Sequence, residues 1–271
     1  MGATGTASIG PAAYSDGVPT VAFCIRRASG EVLAARSGDE PFYAASTVKL
    51  AVLAAAARAL QSGAVSLDTP LVSTDTFTSL VPGAPSYRIV PDDIDEGMPP
   101  PGTPMSFAAT VERMIVVSSN EATNMVTEVV GLPAVGAALA DAGATSSSFD
   151  SMYSDFAAVA QGATRLTTAD DLARLMSALV LGELADPERT AWMLGLLVRQ
   201  EDRLLTAHVP DGVPFGSKSG WVDGIRHDVA FVGEPGPGAL VVAVCTRGYE
   251  PPAAEETIRA LGDLAVHLHS S

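Results

Sequence analysis

A chain of 271 residues with 47% apolar side chains can bury a large core, as one domain or as two intimate subdomains. Its formal net charge of -15, with no run of Lys or Arg, argues against nucleic acid or an anionic membrane as partner and toward a small molecule or short peptide. The longest apolar run, residues 50–57, is interrupted by Arg58 and is too short to span a bilayer, so no membrane anchor is expected.

The first 17 residues carry neither a basic start nor an apolar core, and they read as a flexible N-terminal extension instead of a secretory signal. The expected location is cytoplasmic for the sequence as it stands, and periplasmic or secreted if a leader has been trimmed. Met1-Gly2-Ala3-Thr4-Gly5-Thr6 fits the loose myristoylation pattern, a pattern that recurs by chance. Residues 18–27 predict a strand, Ser29-Gly30 a tight turn and residues 31–36 the hairpin partner. From Ser46 an Ala/Leu-rich helix is predicted to about residue 62, with a hydroxyl residue at its start and Gly63 just past its end.

Residues 69–104, rich in Pro, Gly, Ser and Asp, predict a long irregular segment of the kind that forms binding loops or lids. Helical spacing returns over 106–117, 120–130, 133–142, 168–181 and 187–205. Thr168-Ala169-Asp170-Asp171 has the form of a capping box with Asp in place of Glu. After Asp211-Gly212 strands are predicted over 215–219, 225–233 and 239–247, the last two joined by a Pro/Gly turn, with a closing helix over 253–267. The order implies an α+β fold, in which a five-stranded antiparallel sheet flanked by helices is shared by the two ends of the chain, about 18–45 and 212–271. An all-helical part, about 46–211, is inserted between them.

Three short polar motifs punctuate this pattern: Ser46-Thr47-Val48-Lys49, Ser118-Ser119-Asn120 and Lys218-Ser219-Gly220, spaced about 70 and 100 residues apart. Ser-x-x-Lys at the mouth of an apolar helix sets a hydroxyl and an amine one turn apart on one face, a nucleophile beside its base. A lysine serves as base near neutral pH only when burial or a second cation lowers its pKa, and Lys218 supplies such a cation. Any one motif alone is ordinary, an exposed helix lysine or a polar helix junction. The three in order, each in apolar context, are not. Cys24 and Cys245 sit in β-branched, strand-like runs and read as small buried hydrophobes. The four histidines show no ligand spacing with them, so neither a metal nor an organic cofactor is expected.

In order and context these motifs resemble the class A β-lactamase and penicillin-binding-protein superfamily of active-site serine enzymes, from Phe42-Tyr43 to the strand ending at Arg247. The resemblance implies a single β-lactamase-like domain over 18–271, with Ser46 as acylated nucleophile and Lys49 as the base that takes its proton. Ser118 and Lys218 would relay a proton to the leaving group, Asn120 would hold a substrate amide, and Ser219 a substrate carboxylate or carbonyl. The backbone N–H groups of Ser46 and Trp221 would form the oxyanion hole. Arg226 resembles the arginine that relatives use near a substrate carboxylate; a structural ion pair with Asp223 or Asp228 is the other reading. Trp221 would wall the pocket or cover the sheet edge, His227 reads as a strand residue with a satisfied ring nitrogen, and Asn124 ties loops together or sits solvated. In the family fold the first and last strands are neighbours, which would bring Cys24 and Cys245 near one another, though adjacent-strand geometry rarely suits a disulfide.

One departure bears on the substrate. Class A members carry a loop glutamate that positions the deacylating water, within Glu-x-x-Leu-Asn. Counting from either side places it near Tyr153 or Ser154, neither of which serves as a general base. Asp155 is the nearest substitute and Asp150 the next, each as apt to cap or pair structurally. The expected function is a serine hydrolase acting through an acyl-enzyme on Ser46, cleaving an amide or ester, and a β-lactam inefficiently. Acyl transfer to an amine, in a biosynthetic or transpeptidase-like step, is the alternative within that class. A slowly turned over, acylated binding or sensor protein is the alternative from another, and a monomer is expected.

Overall fold

A computed structural model describes residues 14–270, so the myristoylation-like start and most of the predicted extension lie outside the described residues. The chain opens with the hairpin β1 (Thr20–Arg27) and β2 (Val32–Arg36), then β3 (Phe42–Tyr43) and helix α1 (Lys49–Gln61). Through the Pro- and Gly-rich segment run four short strands, β4 (Pro70–Val72), β5 (Thr76–Phe77), β6 (Tyr87–Arg88) and β7 (Pro104–Ser106). There follow α2 (Phe107–Val116), α3 (Asn120–Val130), α4 (Leu132–Asp141), β8 (Ser148–Phe149), α5 (Phe156–Ala160) and β9 (Arg165–Thr167). The chain closes with α6 (Ala169–Leu181), α7 (Pro187–Val198), β10 (Phe215–Val222), β11 (Ile225–Val232), β12 (Leu240–Arg247) and α8 (Pro251–Ser270).

The main sheet has the order β10-β11-β12-β1-β2 and is antiparallel throughout, so β1 from the start of the chain pairs with β12 from its end. β12 explains why this sheet is covered on both faces. Its run Leu-Val-Val-Ala-Val-Cys-Thr is buried, and alternate side chains enter different cores. Val241, Ala243 and Cys245 join the large cluster around α1 and α6, while Val242 and Val244 join a smaller one with Ile258 and Ala265 of α8. Cys24 pairs with Ala243 and Ala22 with Cys245, so the two thiols are not opposite one another, and both are free.

Helix α1 is buried from Lys49 to Ala57 and packs against α2, α3, α4, α6 and α7. A helix apolar on all sides belongs at the centre of a helical layer, and this one anchors the site at its N-terminus. It starts at Lys49, not at Ser46. Residues 45–48 form a tighter turn, with the N–H of Thr47 on Ala44 O and that of Lys49 on Ser46 O, both at 3.2 Å.

Helix α7 stops at Val198, short of the predicted 205. The N–H groups of Leu204 and Leu205, which a helix would use internally, instead go to the buried Asp228 carboxyl group at 3.1 and 2.9 Å. The loop after α7 is thereby drawn against the sheet. Among the described residues no single helix is long and apolar enough to cross a membrane; the α3–α4 pair, bent by 91°, reaches that length and composition only jointly.

Candidate active site

Ser46 lies half-buried in the turn that leads into α1, and β10 runs directly across it. A Cβ on Gly220 would sit 2.7 Å from the Ser46 nitrogen and 2.8 Å from that of Thr47. Only glycine lets the strand approach so closely.

One turn into the helix, Lys49 is completely buried. Its Nζ donates to Ser118 O at 2.6 Å, Asn120 Oδ1 at 2.7 Å and Ser119 O at 3.3 Å, and reaches Ser118 Oγ at 3.4 Å. Lys218, also fully buried, donates to the same Ser118 Oγ at 2.9 Å. Ser118 makes both contacts from the left-handed region, φ 65°, a conformation that costs a non-glycine residue roughly 1 kcal/mol or more. The turn between α2 and α3 thus presents its carbonyl and its hydroxyl to two amines.

Burial and the neighbouring charges of Lys218 and Arg165 hold the Lys49 amine well below its usual range, Asp93 and Glu121 opposing. Burial likewise brings Lys218 down to about 7, against the pull of Asp228 and Asp202. A neutral amine is available here at a pH where an exposed lysine is charged.

The loop carrying the position counted for a glutamate brings Tyr153 to the nucleophile. Its ring lies 4.5 Å from Lys49 Nζ, and its hydroxyl donates to Ala45 O at 2.9 Å while hydrogen-bonded to the Ser46 side chain. Burial raises its pKa beyond the usual tyrosine range, so the phenol stays protonated. Asn124 fixes this loop by a reciprocal pair, Tyr153 N–H to its Oδ1 at 2.8 Å and its Nδ2 to Tyr153 O at 2.9 Å. It is the loop-tying reading of Asn124 that the geometry bears out. Arg165, buried, stacks over the Tyr153 ring at 4.2 Å and donates to Ser151 O and Met152 O.

Asp155 borders the same hollow as Ser46, with both of its carboxylate oxygens engaged in structural hydrogen bonds. Its Oδ1 accepts from Ser79 Oγ at 2.8 Å and Ala158 N at 3.1 Å, and its Oδ2 from Leu80 N at 2.8 Å. It caps α5 and ties that helix to the irregular segment. Asp150 is exposed in a separate groove with Phe149 and Leu132.

At the far end of β10, Arg226 forms an ion pair, but with neither expected aspartate. Its Nη1 and Nη2 clasp the Asp202 carboxylate at 2.8 and 2.7 Å, and Ser219 Oγ donates to the same group at 2.9 Å. Burial acts to raise the Asp202 pKa, but the hydrogen bonds and charge of Arg226 outweigh it and hold the carboxyl below its ordinary range. His227 is buried and neutral, lowered by burial to about 4, with Nε2 donating to Tyr43 O at 2.9 Å and Nδ1 accepting from Thr246 N at 3.1 Å. Trp221 is 59% exposed and divides two hollows. One, of about 70 Å³, holds Ser46, Asn120, Asp93, Tyr153 and Arg165; the other, a groove of about 1020 Å³, holds Asp202, Arg226 and Glu255.

The family model described as the beta-lactamase enzyme family matches residues 8–268. The chain belongs to that family. Among solved structures, the β-lactamase from Sphaerobacter thermophilus DSM 20745 is 28% identical, with a TM-score of 0.76 over 96% of this chain and 95% of that one. PBP-A is 25% identical, with a TM-score of 0.75 over 93% and 90%. A variant of it is described as an acyl-enzyme complex with penicillin G. The ancestral class A β-lactamase GNCA, at 24% identity and a TM-score of 0.74 over 92% and 94%, shares the fold. Curated proteins contain no match.

For a serine hydrolase of the β-lactamase type, Ser46 and Asn120 line the small hollow, and the hydrogen bond from Lys49 to Asn120 joins it to the buried cluster of Lys49, Ser118 and Lys218. Sequence reasoning passed over Asp202, Asp93 and Arg165. Asp93 receives a hydrogen bond from the Asn120 amide, and its pKa is raised by burial despite Lys49. Nothing local marks these three, because Asp202 and Asp93 lie in connecting segments and Arg165 opens the short strand β9, and all three are brought to the site by contacts distant in sequence. Tyr153 was reached by counting, and its place beside Ser46 rests on the Asn124 clasp.

Proposed function

We propose that the chain is an acyl-enzyme hydrolase in which Ser46 attacks an amide or ester of a small acyl compound, with slow turnover of β-lactams. The observation that carries this reading is the shared grip of Lys49 and Lys218 on Ser118, next to a serine pressed against β10. Ser46 Oγ forms a bond to the acyl carbon as its proton passes to the neutral Lys49 amine. The acyl C–N or C–O bond breaks, and the leaving atom takes the Ser118 hydroxyl proton. Ser118 recovers a proton from Lys49, 3.4 Å away, while Lys218 Nζ donates a hydrogen bond to its oxygen.

Release of the acyl group is the slower half. Counting along the chain puts Tyr153 near the position of the water-activating carboxylate in the class A enzymes that this chain resembles, and a protonated phenol takes no proton from water. Lys49 is left as the base. The same observation favours a second reading, in which an amine, a stronger nucleophile than water, is the acceptor.

Rapid-quench mass spectrometry with an activated ester tests the scheme. Wild type is expected to form its adduct faster than it loses it. An added amine and the Tyr153→Glu substitution should each shorten adduct lifetime, the latter by about tenfold or more. An adduct lost as quickly as it forms, with no effect of either change, would overturn the slow-release reading.

A further inference from the structure

The Asp202 carboxylate engages Ser219 and Arg226, the two residues to which the family resemblance assigns the carboxylate of a substrate. Arg226 meets both of its oxygens through two parallel hydrogen bonds, the geometry by which a guanidinium recognises a ligand carboxylate. Ser219 has its hydroxyl proton on Asp202 and accepts from Gln200 Nε2 at 3.4 Å. Arg226 Nη2 also faces Glu255 at 3.4 Å. The hydroxyl proton and both terminal nitrogens of the subsite are therefore in use.

The contact is built into the fold. Asp202 is flanked by the Glu201 N–H on Val116 O at 3.0 Å and by Leu204 and Leu205 on Asp228, so its backbone is fixed on either side. The Arg226 side chain is 12% exposed, whereas that of Asp202 is 40% exposed, on the side of the large groove. That groove adds further negative charge from Asp16, Asp223, Glu250 and Glu255. A second carboxylate arriving here would find the arginine already neutralised and would sit against a like charge.

We propose that Asp202 is a specificity-determining residue: it fills the anion subsite that Ser219 and Arg226 form, across Trp221 from Ser46, so that the enzyme takes acyl donors with a neutral or cationic group at that position and rejects those with a free carboxylate. The inference rests on the acyl-enzyme reading above. A change of charge at Asp202 then acts on substrate choice through Arg226 and Ser219, and its effect on Lys218 is common to both donors and cancels in the ratio of their rates.

The test uses matched donors: a penicillin and its methyl ester, and a pair of activated esters with and without a free carboxylate at the corresponding position. Second-order rates of Ser46 acylation are read by intact-protein mass spectrometry for wild type, Asp202→Ala and Asp202→Asn. In wild type the carboxylate donor should react at about one-tenth the rate of its neutral partner or less. The ratio should rise about tenfold in Asp202→Ala and by a smaller factor in Asp202→Asn. The near-isosteric Asn variant carries the test if the Ala variant does not fold. Equal rates for both donors in wild type, or a ratio that moves less than about twofold in the variants, would overturn the inference while the adducts themselves uphold the acyl-enzyme reading. No adduct on wild type with any donor would overturn both.

Discussion

Lys49 is a cation's side chain placed among oxygens with no room for bulk water, and that placement decides what it can do. Three main-chain and side-chain oxygens within 3.3 Å hold its amine, while burial and Lys218 push it toward the neutral form. Lys49→Ala should slow acylation by about a thousandfold or more at pH 7.5, measured as the burst with an activated ester. A fall of less than tenfold would take the base role from Lys49. At this scale the sequence was most legible where chemistry is local: a hydroxyl and an amine one turn apart are visible without a structure. It was least legible at Arg226, whose partner Asp202 is 24 residues away in sequence on a loop that the helical spacing had absorbed into α7.

The elements around the site depend on two close approaches. β10 reaches Ser46 because Gly220 has no side chain, and a methyl group there would meet backbone nitrogens that cannot move without displacing the turn into α1. Gly220→Ala is expected to lower the acylation rate by about 100-fold or more, as loss of an oxyanion-site donor does, with the folded state retained. Near-normal acylation would mean that the strand does not need its close fit. The Tyr153 loop depends on Asn124 in a similar way. Asn124→Ala leaves the buried N–H and C=O of Tyr153 unpaired, and a stability loss of about 2–4 kcal/mol by urea titration is expected. A loss under 0.5 kcal/mol would show that the loop is held otherwise. The helices and strands of the two ends were readable from period and punctuation. The short strands of 70–106 and helix α5 were not, because their pairing and capping come from partners such as Asp155 and Ser79 that lie 76 residues apart.

At the scale of the whole molecule, the shared sheet makes both ends of the chain one cooperative unit, and Asp228 joins that sheet to the loop carrying Asp202. Burial raises Asp228 to about 7, against the N–H groups of Leu205 and Leu204 that lower it; Asp202 adds to the rise and Lys218 opposes it. An unfolded aspartate titrates near 3.8, so between about 4 and 7 the folded chain binds more protons than the unfolded one. Stability from this group is therefore highest below about 4 and falls as pH rises, by at most about 4 kcal/mol at pH 8. Asp228→Asn removes the dependence: relative to wild type, the variant should gain stability between pH 4.5 and pH 8 in urea titrations. An unchanged difference at the two pH values would contradict the buried, proton-holding Asp228. The fold class itself was legible because strand, helix and strand blocks leave few ways to close a sheet, whereas the course of the loops over it was not.

The most direct measurement is the mass of wild type and Ser46→Ala after exposure to the same activated acyl donor, with the modified peptide located by fragmentation. One acyl group per chain is expected on wild type, placed on Ser46, and none on Ser46→Ala. An adduct of equal yield on Ser46→Ala, or one placed on another residue of wild type, would contradict the Ser46 assignment.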